Sequence, residues 1–161
     1  MFDHADMANL PKPEIYPELT RQLEGVTHGE TDATANLANA AAIIFHGLPD
    51  VNWAGFYLLK DGGLVLGPFQ GRSACVRIAL GRGVCGTAAA MRATQVVADV
   101  RAFPGHIACD ATSRSELVVP LIAANRLLGV IDLDSPTPAR FDSEDAAGLE
   151  AFAAVLAGLL A

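Results

Sequence analysis

Apolar residues at spacings of three and four predict helical segments along the chain. The predicted helices are Leu19 to Glu24, Thr31 or Asp32 to about Phe45, Val84 to Arg92, and Asp142 or Ser143 to about Leu160. Pro11, Pro13 and Pro17 precede the first of them and predict an extended N-terminal entry.

Between these segments, β-rich runs bounded by turn residues predict strands. The predicted strands are Trp53 to Leu59, Leu64 to Gly67, Cys75 to Leu80, Thr94 to Val97, Glu116 to Ile122 and Leu127 to Asp134. Asp61-Gly62-Gly63 is a hairpin signal between the first two. This order favours an α/β (α+β) fold with an antiparallel sheet, helices on one face and loops on the other. Asp99 to Ser115 has no clean period, and long loops of this kind often carry function.

Length and charge narrow the class of protein. The 161 residues are expected to form a single domain spanning 1–161. A formal net charge of −7 disfavours binding to phosphate backbones, so nucleic acid is not an expected partner. No apolar run is long enough to cross a bilayer, and Met1 to Met7 lacks a signal-peptide pattern, so a cytoplasmic protein is expected.

The three cysteines are the first candidates for chemistry. Cys109 lies in the long loop, Cys85 at or near a predicted helix start, and Cys75 at the opening of a predicted strand. A helix N-terminus or a nearby cation such as Arg82 lowers a thiol pKa, which would activate Cys85. Two alternatives stay open: each cysteine is a small buried hydrophobe, or the three join His106 in a Cys₃His zinc site, although the spacing is not that of a zinc knuckle.

Acidic residues are the second group of candidates. Because side chains alternate along a strand, Asp132 and Asp134 are expected to share one face of their strand. Such a pair could bind a substrate ammonium group or keep one carboxyl protonated; the alternative is a solvated strand end. Glu116 opens an apolar strand and could serve as a general acid. Trp53 is either a core residue or an apolar wall for a thioether.

Several segments together resemble the free methionine-(R)-sulfoxide reductases, from about Trp53 to Phe141. The segments that carry the resemblance are Gly67 to Gly71, Gly81 to Gly86, Phe103 to Asp110, Ser115 to Pro120 and Asp132 to Asp134. The resemblance implies a GAF-like fold and reduction of free, not protein-bound, methionine sulfoxide, with no cofactor and no metal. Thioredoxin is the usual reductant in that family, and homodimers are common in it.

The resemblance also implies roles for individual residues. Cys109 is similar to the attacking cysteine, Cys75 to the main resolving cysteine and Cys85 to a second one. Glu116, Asp132 and Asp134 match residues that bind substrate or assist proton transfer, and Trp53 matches a residue that lines the methyl pocket. A GAF module that only binds a small molecule, or senses redox state, is the alternative function.

Overall fold

The structure, a computed structural model, describes residues 7–107 and 110–161. Its centre is a six-stranded sheet in the order β3-β2-β1-β6-β5-β4, and every pair of neighbours is antiparallel. The strands are β1 (Trp53–Lys60), β2 (Gly63–Gly71), β3 (Arg77–Ala79), β4 (Gln95–Val97), β5 (Ser115–Ala123) and β6 (Arg126–Ser135). The predicted antiparallel α+β architecture is therefore confirmed.

In the described part of the chain, three helices pack on one face of this sheet and one short helix packs on the other. The helices are α1 (Lys12–Val26), α2 (Ala33–Gly47), α3 (Gly83–Met91) and α4 (Ser143–Leu160). Helices α1, α2 and α4 bury the main core against one face, where Phe56, Leu117 and Ile131 point. The short helix α3 packs with the loops on the opposite face, which Tyr57 and Val130 share. Within residues 7–107 and 110–161, no helix combines the length and the apolar character that crossing a membrane requires.

The N-terminal prediction was wrong, because α1 starts at Lys12 and contains both Pro13 and Pro17. Pro13 stands in the first turn, where a backbone N–H would have no helical partner, so proline costs little there. Pro17 removes one internal hydrogen bond, but α1 also buries Leu19 and Leu23 completely. Burial of that apolar surface outweighs the lost bond.

The helix caps that the sequence predicted are confirmed. The Asp32 carboxylate accepts a hydrogen bond from the Ala35 backbone N–H at 2.8 Å. Asp142 accepts from the N–H of Glu144 and Asp145, and the Asp145 side chain accepts from the Asp142 N–H, which completes a capping box. These bonds satisfy N–H groups that a helix end otherwise leaves unpaired.

A buried polar cluster fastens α1 to the start of α4. The Tyr16 hydroxyl donates to Asp145 Oδ1 at 2.9 Å, and Lys12 Nζ lies 2.8 Å from Asp145 Oδ2. Arg140 Nη1 approaches the same carboxylate at 3.3 Å. Because Asp145 is buried, these partners compensate for its lost hydration. The Tyr16 ring itself packs against Gly148, where a Cβ would collide with it.

Replacing Gly148 by alanine is expected to destabilise the protein by about 1–3 kcal/mol, because the added methyl overpacks the α1–α4 contact. Gly158→Ala, in the same helix, is the matched control, since a Cβ there meets nothing within 4 Å. That control is expected to be neutral or to gain up to about 1 kcal/mol from helix propensity. Urea unfolding of both variants measures the difference, and equal midpoints would contradict the proposed contact.

Candidate active site

Strand alternation and register bring the predicted acidic residues together. Asp132 and Asp134 share one face of β6, as the sequence predicted, and this face lies opposite the main core. Glu116 on β5 pairs directly with Asp134, and Trp53 on β1 pairs with Asp134 from the other side. Three neighbouring strands thus place three carboxyls and one indole side by side.

Helix α3 and the loops around it close this face into a cleft. The cleft has about 530 Å³ of empty space, including the part open to solvent. Its walls include Trp53, Tyr57, Cys85, His106, Ile107, Asp110, Ser113, Glu116, Asp132 and Asp134, with Arg82, Gly83 and Val84 at the start of α3. All the predicted site residues that the structure describes, except Cys75, line this one cleft.

Two glycines allow α3 to approach the sheet closely. Gly83 adopts a φ of 61°, in the left-handed region, and lies against the Ile107 side chain. A Cβ on Gly86 would collide with the Ala79 carbonyl oxygen of β3. The helix start therefore sits directly over the carboxyl groups and brings Cys85 among them.

Burial strongly perturbs the carboxyl groups. Desolvation, reinforced by the nearby Asp132 charge, raises the pKa of Glu116 well above its ordinary range. The same two causes raise the pKa of Asp134. Burial raises the pKa of Asp132 to about 6, although hydrogen bonds with Cys85 and Glu116 oppose the shift. The alternative of a solvated strand end is wrong for Asp132, which is only 6% exposed.

Asp132 also has one carboxylate oxygen without a hydrogen-bond partner among the described residues. Its Oδ1 atom is buried and has no partner among residues 7–107 and 110–161. A buried acceptor without a partner costs free energy, and such groups in a cleft typically await a ligand donor or ordered water. The unpaired oxygen lies in a wall of the cleft, where a cationic ligand could satisfy it.

The expected activation of Cys85 was wrong. Its Sγ lies 3.9 Å from Glu116 Oε1, and the residue is 3% exposed. Burial and the charges of Asp132 and Glu116 raise the pKa of the thiol well above its usual value. The start of α3 and Arg82 do not overcome this environment, so Cys85 is a neutral thiol at physiological pH.

The segment before β3 holds Cys75. The strand was predicted to open at Cys75, but β3 begins at Arg77, so Cys75 precedes it. Cys75 is disulfide-bonded and half-buried, and its carbonyl accepts a hydrogen bond from Tyr57 Oη at 3.0 Å. A disulfide-bonded cysteine offers no thiolate, so the Cys₃His zinc alternative is not available to this form of the protein.

Cys109 lies outside the described residues, and its role stays a prediction. The residues on either side of that gap, Ile107 and Asp110, both line the cleft. Hydrogen bonds fix the end of the loop: Asn52 Nδ2 donates to Thr112 Oγ1 at 3.2 Å, and Asp110 accepts from the Thr112 backbone N–H at 2.9 Å.

Trp53 forms an aromatic wall of the cleft. Its ring stacks on Phe69 with 5.3 Å between centroids, and its Nε1 donates to the Arg72 carbonyl at 3.0 Å. A Cβ on Gly55 would collide with Phe69 and would lie 2.7 Å from the indole, so glycine is required beneath the two rings. The Trp53 ring is thereby held rigidly beside Asp134, its cross-strand neighbour.

Sequence reasoning did not place Tyr57, His106 or Ser113 beside the acidic residues. Tyr57 could have been found, because it follows Trp53 on the same strand face by period-two alternation. His106 was considered as a zinc ligand with the three cysteines, and the structure places its Nε2 3.8 Å from Glu116 Oε2. Burial lowers the pKa of His106, so it is mainly neutral at pH 7. Ser113, which hydrogen-bonds Asp134, gave no signal in the sequence.

The sheet, its covering helices and the cleft define a GAF-domain protein, and a GAF domain family model matches residues 34–161. Free methionine-R-sulfoxide reductase of Escherichia coli (strain K12) is 53% identical over 150 residues, covering 93% of this chain and 91% of that protein. The Saccharomyces cerevisiae protein of the same name is 44% identical and covers 96% of this chain and 93% of its own.

A solved structure agrees with these relatives. The X-ray structure of free methionine-R-sulfoxide reductase from Neisseria meningitidis, in complex with its substrate, superposes with a TM-score of 0.92 at 46% identity. It covers 98% of this chain, and this chain covers 96% of it. The chain therefore belongs to the free methionine-R-sulfoxide reductase family of GAF-domain proteins.

The buried carboxyls are expected to reduce stability at neutral pH, and Asp132→Asn tests this. Below about pH 4 the carboxyl is protonated in both folded and unfolded chains, so it has no net effect there. As pH rises through 4 to the folded pKa of about 6, the wild type loses stability relative to the variant. A shift of roughly two units corresponds to about 3 kcal/mol.

Asp142→Asn is the control with the opposite sign. The hydrogen bond from Lys12 lowers the pKa of the exposed Asp142 to about 2, so this carboxylate stabilises the fold above about pH 4. Urea titrations between pH 2 and pH 8 should show Asp132→Asn gaining stability relative to the wild type as pH rises from 4 to 6, and Asp142→Asn losing stability relative to the wild type as pH rises from 2 to 4. A pH-independent difference for Asp132→Asn would show that its carboxyl is not perturbed by folding.

Proposed function

We propose that this protein reduces free L-methionine (R)-sulfoxide to L-methionine. The observation that carries the proposal is the unpaired Oδ1 of buried Asp132 in a cleft that also presents Glu116, Asp134 and an aromatic wall. The chain is 53% identical to a protein named for this activity over 93% of its length, which supports the same substrate.

Asp132 and Asp134 bind the substrate ammonium group in this proposal. An ammonium group would donate to Asp132 Oδ1 and neutralise the charge that burial makes costly. The substrate carboxylate then lies at the start of α3, where Gly83 and Val84 line the cleft and first-turn N–H groups lack helical partners. A methionine within a peptide carries neither charge, so its binding would leave both sets of polar groups unpaired.

Trp53 receives the apolar end of the substrate. Aromatic faces make favourable contacts with thioether sulfur and methyl groups. The indole is fixed by its stack on Phe69 and by its hydrogen bond to Arg72, so it offers a preformed wall. This places the sulfoxide end of the ligand against an aromatic surface and its amino end among the carboxyls.

Glu116 supplies the proton that the sulfoxide oxygen needs. Burial raises the pKa of this carboxyl well above its ordinary range, which favours the protonated form that a general acid needs. Glu116 pairs across the strands with Asp134, so the proposed acid and an ammonium ligand are neighbours. Activity should therefore fall as pH rises past the Glu116 pKa.

Cys109 attacks the sulfoxide sulfur. As Glu116 protonates the sulfoxide oxygen, that oxygen passes to the Cys109 sulfur as a hydroxyl group, methionine leaves, and Cys109 becomes a sulfenic acid. The Cys75 thiol then forms a disulfide with Cys109 and releases water, so the sulfoxide gains two electrons and the two thiols lose two. Thioredoxin returns both thiols by exchange. Half-buried Cys75 is accessible for this exchange, whereas buried Cys85 is a poorer resolving thiol, which leaves it a secondary role.

Cysteine variants separate attack from resolution. Cys109→Ser is expected to release no methionine above background, since no other thiol is assigned the attack. Cys75→Ser is expected to release about one methionine per protein and then stop with thioredoxin as the reductant. Quenched assays of pre-reduced protein with free methionine sulfoxide, with thioredoxin as the only reductant, measure both. Near-normal turnover by Cys109→Ser would refute the assigned nucleophile.

Variants of Asp134 and Glu116 separate binding of the substrate ammonium group from donation of the proton. Asp134→Asn should raise KM by about tenfold or more, which corresponds to the loss of one charge-assisted hydrogen bond of roughly 1.5–3 kcal/mol. Glu116→Gln should instead lower kcat by about 10²–10⁴-fold through loss of the acid. N-acetylmethionine sulfoxide, which lacks the ammonium group, is the matched substrate control. If wild type reduced it as fast as the free amino acid, the proposed role of the aspartates would be wrong.

A further inference from the structure

A thiol, an imidazole and two carboxyls meet at the floor of the cleft. One donor atom from each of Cys85, Glu116 and Asp132 lies within 4.8 Å of the other two, and all three residues are buried. His106 Nε2 stands 3.8 Å from Glu116 Oε2, on the loop side of the same group. The donors come from α3, β5, β6 and the 103–107 segment, so the fold and not a local sequence motif assembles them.

The donor spacing is close to that of a tetrahedral zinc shell. With Zn–S near 2.3 Å and Zn–O near 2.1 Å, tetrahedral geometry puts sulfur and oxygen about 3.6 Å apart. Cys85 Sγ and Glu116 Oε1 are 3.9 Å apart. The corresponding nitrogen–oxygen spacing is about 3.4 Å, against 3.8 Å for His106 and Glu116. These two distances end on different oxygens of Glu116, so His106 must move toward the Cys85, Glu116 and Asp132 group to complete the shell.

The unpaired oxygen of Asp132 is an independent sign that this cluster suits a cation. Oδ1 has no hydrogen-bond partner in the part of the chain that the structure describes, and Asp132 is 6% exposed. A structural ion pair would have supplied a lysine or arginine to this buried carboxylate. Asp132 lines the cleft, so a cation that enters the cleft meets this carboxylate.

The chemistry of the donors selects the kind of cation. Thiolate and imidazole disfavour Mg²⁺ and Ca²⁺, which prefer oxygen shells, and favour borderline ions. We propose that Cys85, Glu116, Asp132 and His106 form a binding site for Zn²⁺ and similar divalent ions. Binding releases the Cys85 proton and the proton that Glu116 holds, forms a Zn–S bond and changes no oxidation state. Two carboxylates and one thiolate balance the ion's charge to a net −1.

Occupation of this site would block the cleft. The consequence rests on the proposed function, in which Asp132 binds the substrate ammonium and Glu116 holds the proton. A metal ion would occupy both carboxyls, so Zn²⁺ is expected to inhibit competitively with methionine sulfoxide. Metal binding itself requires no turnover and is tested separately.

The test uses the full-length chain with Cys75→Ser and Cys109→Ser, which leaves Cys85 as the one thiol of the three. Co²⁺ is the probe, because a thiolate bound to Co²⁺ gives a charge-transfer absorption that carboxylate or histidine ligands do not. The expected result is a one-to-one titration of this band, reversed by Zn²⁺, which binds more tightly in the Irving–Williams order. Adding Cys85→Ser should abolish the band.

Two further variants locate the other donors. Asp132→Asn and His106→Gln should each weaken Co²⁺ binding by about tenfold or more, in line with losses seen when metal-site groups are removed. His46→Gln, on an exposed histidine, should leave binding unchanged. If the Cys85 chain shows no charge-transfer band, or if the band survives Cys85→Ser, the site is wrong.

Wild-type protein provides a measurement that does not depend on the folding of variants. X-ray absorption of the reduced, zinc-loaded chain is expected to show one sulfur and two or three nitrogen or oxygen ligands. Two or more sulfurs would assign the metal to the Cys75 and Cys109 thiols and overturn the proposal. If the proposed function is wrong but the metal site is correct, the wild type will bind Co²⁺ through Cys85 and release no methionine from the sulfoxide.

Discussion

Burying three carboxyls and a thiol on one face of the sheet is the constraint on which the site depends. An isolated ionised carboxylate in such a place is costly, so the group either keeps a proton or finds a cation. Both outcomes are useful here. Burial raises the pKa values of Glu116 and Asp134 well above their ordinary range and so favours their protonated forms, whereas Asp132, with a pKa of about 6, is ionised at pH 7 and has an unpaired oxygen.

The apolar core on the other face of the sheet offsets the free-energy cost of these buried carboxyls. Helices α1, α2 and α4 bury a large apolar core against the other face of the same strands, including Phe56, Leu117 and Ile131. Strands β1, β5 and β6 contribute side chains to that core on one face and to the cleft with the three carboxyls on the other. The apolar face that stabilises the protein and the acidic face that destabilises it therefore share one backbone. Stability gained on one face therefore fixes the register that sets the carboxyl positions on the other.

Alternation along strands predicted a substantial part of the site. Asp132 and Asp134 share a face because side chains alternate, and the resemblance pointed to Glu116 and Trp53 beside them. Cys85 differed, because its pKa depends on neighbours from β5 and β6 that sequence position does not reveal. The first part of α1, before the predicted helix from Leu19 to Glu24, also escaped prediction, since Pro13 and Pro17 gave a local stop signal that packing against α4 overrides. The local sequence pattern thus predicts features that a single helix or strand determines, and it fails for features that depend on packing between two elements.

The neutral state of Cys85 would favour the proposed amino acid ligand over the proposed metal ion in this cluster. An ammonium group needs only acceptor oxygens, and Asp132 offers one without any change in the thiol. A metal ion must first displace the Cys85 proton, which burial and the nearby carboxyls hold tightly. The raised thiol pKa therefore weakens metal binding at neutral pH while leaving ammonium binding untouched. Cys85 acts in this view as the residue that sets the balance between the two cations, and its burial beside Glu116 is what gives it that role.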